Sequence, residues 1–210
     1  MKIKIGVVGS ADGPYAPGAP EKAYELGRQI ALQGCILVTG ACPGLPHEAI
    51  RGAKSVGGIT LGISPGLNLE EHIVKYESPV DNYDILIFTG SGLMGREITA
   101  VRTCDAVIIV GGRSGTLGEF AIAYDEGKII GVLFGTGGLA DNTHTIVEIC
   151  NKETGATLIY ESDPKRLVER VLRAFDKRLQ ATNDDAIIGA YEPLSKLFGE
   201  PLSLRNSNGH

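Results

Sequence analysis

The feature that most constrains this chain is a repeat of three parts: a short apolar run, a glycine-bearing loop, and an amphipathic stretch. The apolar runs are Ile3–Val8, Cys35–Thr39, Gly58–Ile63, Asp84–Thr89, Asp105–Val110, Lys128–Phe134 and Thr157–Tyr160. Several are almost wholly apolar, which is how strands covered on both faces read. Helical stretches lie between them, near Pro20–Gln33, Leu45–Val56, Leu93–Thr103, Thr116–Gly127, Asn142–Asn151 and Pro164–Leu179. In the first of these, Ala23, Leu26, Ile30 and Ala31 fall at helical spacing. Pro20 suits a first turn there, and Gly34 a stop. Strictly alternating elements give βαβ units with right-handed crossovers. The expected fold class is therefore α/β, a doubly wound sheet of about seven mostly parallel strands with helices on both faces. No linker breaks the pattern before about residue 180. Residues 1–180 are expected to form one domain. Residues 181–210 are expected to be a partly ordered extension, ordered near Tyr191–Phe198 and mobile over Arg205–His210.

Composition narrows the function classes. A formal charge of −5 over 210 residues argues against an electrostatic nucleic-acid binder. No apolar run reaches the ~18 residues that a membrane helix needs, so no membrane partner is expected. The opening MKIKIGVVGS lacks the apolar core and cleavage site of a signal peptide and reads as a strand. Cys35, Cys42, Cys104 and Cys150 form no CxxC pair, and no Cys/His cluster has zinc spacing. Free thiols in a cytoplasmic location are the expectation, with no metal site and no required cofactor.

In a doubly wound sheet, ligands bind outside the carboxyl ends of the strands. The loops there are Gly9-Ser10-Ala11-Asp12-Gly13, Gly40-Ala41-Cys42-Pro43-Gly44, Gly90-Ser91-Gly92-Leu93-Met94-Gly95 and Gly111-Gly112-Arg113-Ser114-Gly115-Thr116. Four such loops at one sheet edge point to a phosphate-bearing ligand; the alternative is that glycine merely makes tight turns. Gly90–Gly95 fits GxGxxG, yet the next run ends without the acid that a dinucleotide ribose requires. Neither a Walker A loop nor a GxSxG elbow occurs.

The loop after the fifth run carries more chemistry. Its glycines let backbone N–H groups face an anion, and the helix behind it adds its positive end. Thr116 can donate its hydroxyl to a phosphate, and Glu119 stands one turn into the helix. Thr116-Leu117-Gly118-Glu119 also spells a capping box, so Glu119 has a purely structural alternative. Arg96 opens the preceding helix, where a cation opposes the dipole. A ligand anion would explain it; pairing with Glu97 or Asp105 is the other reading. Cys42 has no visible base and is not expected to be a nucleophile. His47 stands at a helix start as a surface group that could meet a ligand. The charged face of Pro164–Leu179 reads as solvated.

The run Leu93-Met94-Gly95-Arg96, then Arg102 to Gly112, then Arg113-Ser114-Gly115-Thr116-Leu117-Gly118-Glu119, resembles the Lonely Guy (LOG) proteins and the wider SLOG superfamily. Their signature is a helix with an arginine, a strand, and PGGxGTxxE. The second loop and third strand, through Gly62-Ile63-Ser64-Pro65, resemble the family as well, so the likeness spans about residues 3 to 178. It implies a Rossmann-like nucleotide-binding domain over residues 1–180, commonly assembled as a homodimer. LOG members hydrolyse the N-glycosidic bond of nucleoside 5′-monophosphates to free base and ribose 5-phosphate. By that resemblance Arg96 and Glu119 are the catalytic pair. The expected phosphate or nucleotide contacts are Gly9, Ser10, Gly40, Gly90, Ser91, Gly92, Gly111, Gly112, Arg113, Ser114, Gly115 and Thr116.

The chain departs from the LOG pattern at informative places. Arg113 replaces a glycine, Glu97 replaces a lysine, Met94 replaces a histidine, and Ala41-Cys42 replace glycines. These changes resemble the branch that includes molybdenum-cofactor carriers, as does Gly135-Thr136-Gly137-Gly138. Two functions follow as expectations. The first is a nucleoside 5′-monophosphate phosphoribohydrolase. The alternative is a non-catalytic carrier or sensor of a nucleotide or of a pterin such as the molybdenum cofactor. Pyridoxal chemistry, suggested by the lysine decarboxylase label often given to relatives, has no basis in these residues.

Overall fold

The computed structural model describes residues 1–182 and 184–191. Seven strands form one sheet: β1 (Lys4–Gly9), β2 (Ile36–Thr39), β3 (Ile59–Ser64), β4 (Ile85–Phe88), β5 (Ala106–Val110), β6 (Ile129–Leu133) and β7 (Thr157–Glu161). The order is β4-β3-β2-β1-β5-β6-β7, and each neighbouring pair is parallel. The doubly wound α/β reading of the sequence holds.

Among the described residues seven α-helices accompany the sheet: α1 (Ala19–Leu32), α2 (Leu45–Lys54), α3 (Gly92–Thr103), α4 (Ser114–Asp125), α5 (Gly138–Cys150), α6 (Pro164–Ala181) and α7 (Asp185–Ala190). Adjacent residues of a strand point to opposite faces, which splits the apolar runs between two cores. Ile5, Val7, Ile108 and Val110 pack with Leu26, Ile30, Ile50 and Leu172 from α1, α2 and α6. Val8, Val107 and Ile109 pack with Val101, Phe120 and Leu139 from α3, α4 and α5. A wholly apolar strand is the consequence of being covered twice.

Two helices begin earlier than their composition suggests. α5 starts at Gly138, four residues before the expected Asn142, because the Asp141 carboxylate accepts from the Gly135 and Gly137 N–H groups at 2.6 and 2.9 Å. That bond holds the glycine loop against the helix start. α4 starts at Ser114, with Arg113 as its N-cap and no side-chain cap. The β3–β4 crossover holds only one π-helical turn, Glu71–Lys75. It is pinned by the buried His72, which bridges the Ser64 hydroxyl at 2.9 Å and the Pro79 carbonyl at 3.0 Å. Of the expected order near Tyr191–Phe198, Tyr191 donates to Asp105 at 2.8 Å and packs on Phe175. Residues 192–198 and Arg205–His210 lie outside the described residues.

Candidate functional site

Strand order reverses between β1 and β5. β1 leads away to β2 on one side, and β5 leads to β6 on the other. Their following loops diverge and leave a crevice, where open α/β sheets place ligands. A cleft of about 300 Å³ lies there. Residues from both loops line it, together with Gly40, Cys42, Leu93, Arg96, Glu97 and Glu119.

The loops are tied to each other. The Ser10 hydroxyl accepts from the Gly112 N–H at 2.7 Å, and the Ser10 carbonyl accepts from Leu45 N–H at 2.9 Å. The Gly111 N–H donates to Thr136 Oγ1 at 2.8 Å. Gly111 and Gly112 have φ of +60° and +111°, which only glycine adopts without strain. Their amides are thus used within the protein, and their part is to turn the chain. The amides that remain are those of Ser114, Gly115 and Thr116, the first turn of α4. No intrahelical acceptor exists for them, and no side chain caps them. All three residues line the cleft. Three N–H groups and the positive end of a helix make a ready anion site. Arg113 adds charge at the rim, its guanidinium donating to Asp12 at 2.9 Å across the mouth.

The earlier start of α4 decides the role of Glu119. Thr116 is the third residue of the helix, not its cap, so the capping box does not form. Glu119 instead faces Arg96 from α3, with Arg96 Nη1 to Glu119 Oε1 at 3.4 Å. Arg96 does not pair with Glu97 or Asp105 on the surface. Both Arg96 and Glu119 side chains are more than nine-tenths buried, and among the described residues Arg96 Nε has no partner. The guanidinium lies against Gly40, where a Cβ would stand 1.5 Å from Nη1, so glycine is the residue that lets it in. Burial pushes the Glu119 carboxyl up to about 7, opposed by Arg96 and helped by Glu97. Burial also raises Glu97, again with Arg96 opposing. It drives the Cys42 thiol up to about 11, which disfavours the thiolate that a nucleophile needs.

Nine of the residues singled out in sequence therefore meet at one cleft: Gly9, Ser10, Gly40, Arg96, Arg113, Ser114, Gly115, Thr116 and Glu119. Gly111 and Gly112 stand behind it as loop formers. Gly90, Ser91 and Gly92 are outside its lining; they turn the chain after the edge strand β4, and α3 then carries Leu93, Arg96 and Glu97 to the cleft. Their loop is tied elsewhere: Gly90 N–H donates to Gly66 and Gly92 N–H to Pro65. Sequence reasoning missed Glu97 and Leu93 as lining residues; their i, i+4 spacing on α3 was the available signal. His47 lies outside the cleft lining, its Nε2 beside Asp81 at 3.3 Å.

A family model described as the SLOG cluster4 family matches residues 2–168. The chain belongs to the SLOG cluster4 family. An uncharacterised protein of Archaeoglobus fulgidus is 37% identical to this SLOG protein over 134 residues, 63% of this chain and 82% of its own. The molybdenum cofactor binding protein of Rippkaea orientalis superposes with a TM-score of 0.67 at 31% identity, over 83% of this chain and 98% of that one. The molybdenum cofactor carrier protein of Chlamydomonas reinhardtii gives 0.64 at 32%, over 82% and 98%. The family reading made from the Arg96 to Glu119 segment, near the carrier branch, is correct.

Proposed function

We propose that this SLOG protein binds a phosphate-bearing small molecule at the switch-point cleft and serves as its carrier or sensor. The ligand class is a pterin such as the molybdenum cofactor, or a nucleotide. The observation that carries this reading is the uncapped first turn of α4, whose three amides line the cleft. The molybdenum-cofactor relatives support it, since each aligns over nearly its whole length. Ser114, Gly115 and Thr116 hold the phosphate, and Arg113 screens it at the rim. Arg96 carries the second positive charge, deeper in the cleft. Mass spectrometry of the ligand released from freshly purified protein tests the reading. A phosphorylated pterin or nucleotide is expected, and failure to bind any such compound in titration would overturn it.

Hydrolysis of a nucleoside 5′-monophosphate is the second reading, favoured by the buried Arg96–Glu119 pair. In that reaction an ionised Glu119 stabilises the positive ribosyl transition state and orients water, while Arg96 holds the substrate. Release of free base from a nucleotide panel separates the two readings. We place the protein in the cytoplasm, supported by its four free thiols. Among the described residues no helix is long and apolar enough to cross a membrane. We further propose a homodimer through the α3 side of the cleft, where Leu93, Met94, Ile98 and Leu117 are exposed. Light scattering that finds only monomer at micromolar concentration would refute it.

A further inference from the structure

Glu97 is a carboxylate that the protein itself does not satisfy. It is 6% exposed and lines the cleft, and among the described residues no hydrogen bond or ion pair reaches it. The other charged groups of the cleft are accounted for. Arg96 faces Glu119, and Arg113 faces Asp12. Glu97 is the acid left over, and its carboxylate opens onto the cleft, where a ligand donor can reach it. The fold makes room for it. A Cβ on Gly118 would stand 2.6 Å from Glu97 Oε2, so the bare helix face of α4 is what seats the carboxylate. Leu93 lies one turn earlier on the same face of α3 and also lines the cleft. Val8, Cys42 and Pro46 add apolar wall.

An apolar slot with a carboxylate at its edge fits a flat heteroaromatic ring that presents two adjacent N–H donors. Both oxygens are then engaged in one plane, as in a fork-to-fork guanidinium pair. The 2-amino-4-oxopyrimidine ring shared by guanine and pterins has such an edge. Hypoxanthine lacks the amino group, and adenine offers no adjacent ring N–H. We propose that Glu97 recognises this edge, so that the cleft selects a guanine nucleotide or a pterin phosphate over other phosphorylated rings. The proposal rests on the anion reading of the α4 N-terminus and names the ring that such a ligand carries.

The test is calorimetric titration of the full chain with GMP, IMP, AMP and 6-hydroxymethylpterin monophosphate. It is repeated with Glu97→Gln and Glu97→Ala, whose folding is checked by thermal melting. Wild type should bind GMP, the pterin or both at least ~10-fold tighter than IMP and AMP, as expected for hydrogen bonds to a charged acceptor. Preference for GMP identifies a guanine nucleotide, and preference for the pterin identifies a pterin. In both variants the preference should shrink to within about twofold. Equal affinity of wild type for all four would overturn the role of Glu97 while leaving the anion site in place. A preference that survives in the variants would overturn it as well. No binding of any of the four would remove the anion site and this proposal together.

Discussion

Replacing Glu119 by glutamine should change how stability depends on pH more than it changes the fold. The carboxyl is held near 7 in the native protein against an ordinary value of 4.5, chiefly by burial. Below the lower value both folded and unfolded chains carry the proton, and Glu119 contributes no pH dependence. Between the two values the unfolded chain has released its proton and the native chain has not, so native stability falls as pH rises. Above the upper value both are ionised and the loss is complete. A gap of roughly 2.5 units at 1.36 kcal/mol each amounts to about 3 kcal/mol. Glutamine has the same shape and no titration. The wild-type-minus-variant difference should therefore move by about 3 kcal/mol, against wild type, from pH 4 to pH 8. Urea melts at constant ionic strength over that range measure it. Curves that stay parallel to within about 0.5 kcal/mol would refute the claim that Glu119 is a desolvated carboxyl.

Three further substitutions probe the same cleft. Gly40→Ala should cost about 3 kcal/mol or more and abolish ligand binding, because the new Cβ displaces Arg96 and strands Glu119; denaturant melts and titration report both. Gly115→Val should fold, since its Cβ meets only Glu97 Oε1 at 3.7 Å. It should weaken phosphate binding by about tenfold, because the branched side chain crowds the first turn of α4; calorimetry measures it. Arg113→Ala removes a mostly exposed pair with Asp12, so stability should change by less than ~1 kcal/mol. Its ligand affinity should fall several-fold, and less so at high salt, read by titration at two ionic strengths.

The sheet was legible because strands covered on both faces are mostly apolar, and Ala106–Val110 is the plainest case. The pairing of Arg96 with Glu119 was legible as a family spacing, but its burial was not. That depends on Gly40, contributed by a different strand, leaving space for the guanidinium. The capping-box alternative failed for a local reason. Arg113 is extended and takes the N-cap position, and Thr116 cannot cap a helix that has already begun. The Gly90–Gly92 turn misled because its glycines mark the end of a strand whatever that strand's place in the sheet, and β4 is the edge strand; only from Leu93 does the segment reach the cleft. Glu97 was noticed only as a possible surface partner of Arg96 and as a departure from a lysine. Its meaning needed Gly118, whose missing side chain is invisible as a contact until α3 and α4 are seen side by side.

The central claim is that the open amides of Ser114, Gly115 and Thr116 hold a ligand phosphate. An amide-resolved NMR titration of uniformly ¹⁵N-labelled protein with GMP tests it most directly. The largest saturable shifts should fall on these three amides, with smaller ones on Asp12 and Arg113. Saturable shifts centred elsewhere, on the Gly90–Gly92 loop for instance, or no shifts at millimolar ligand, would contradict it.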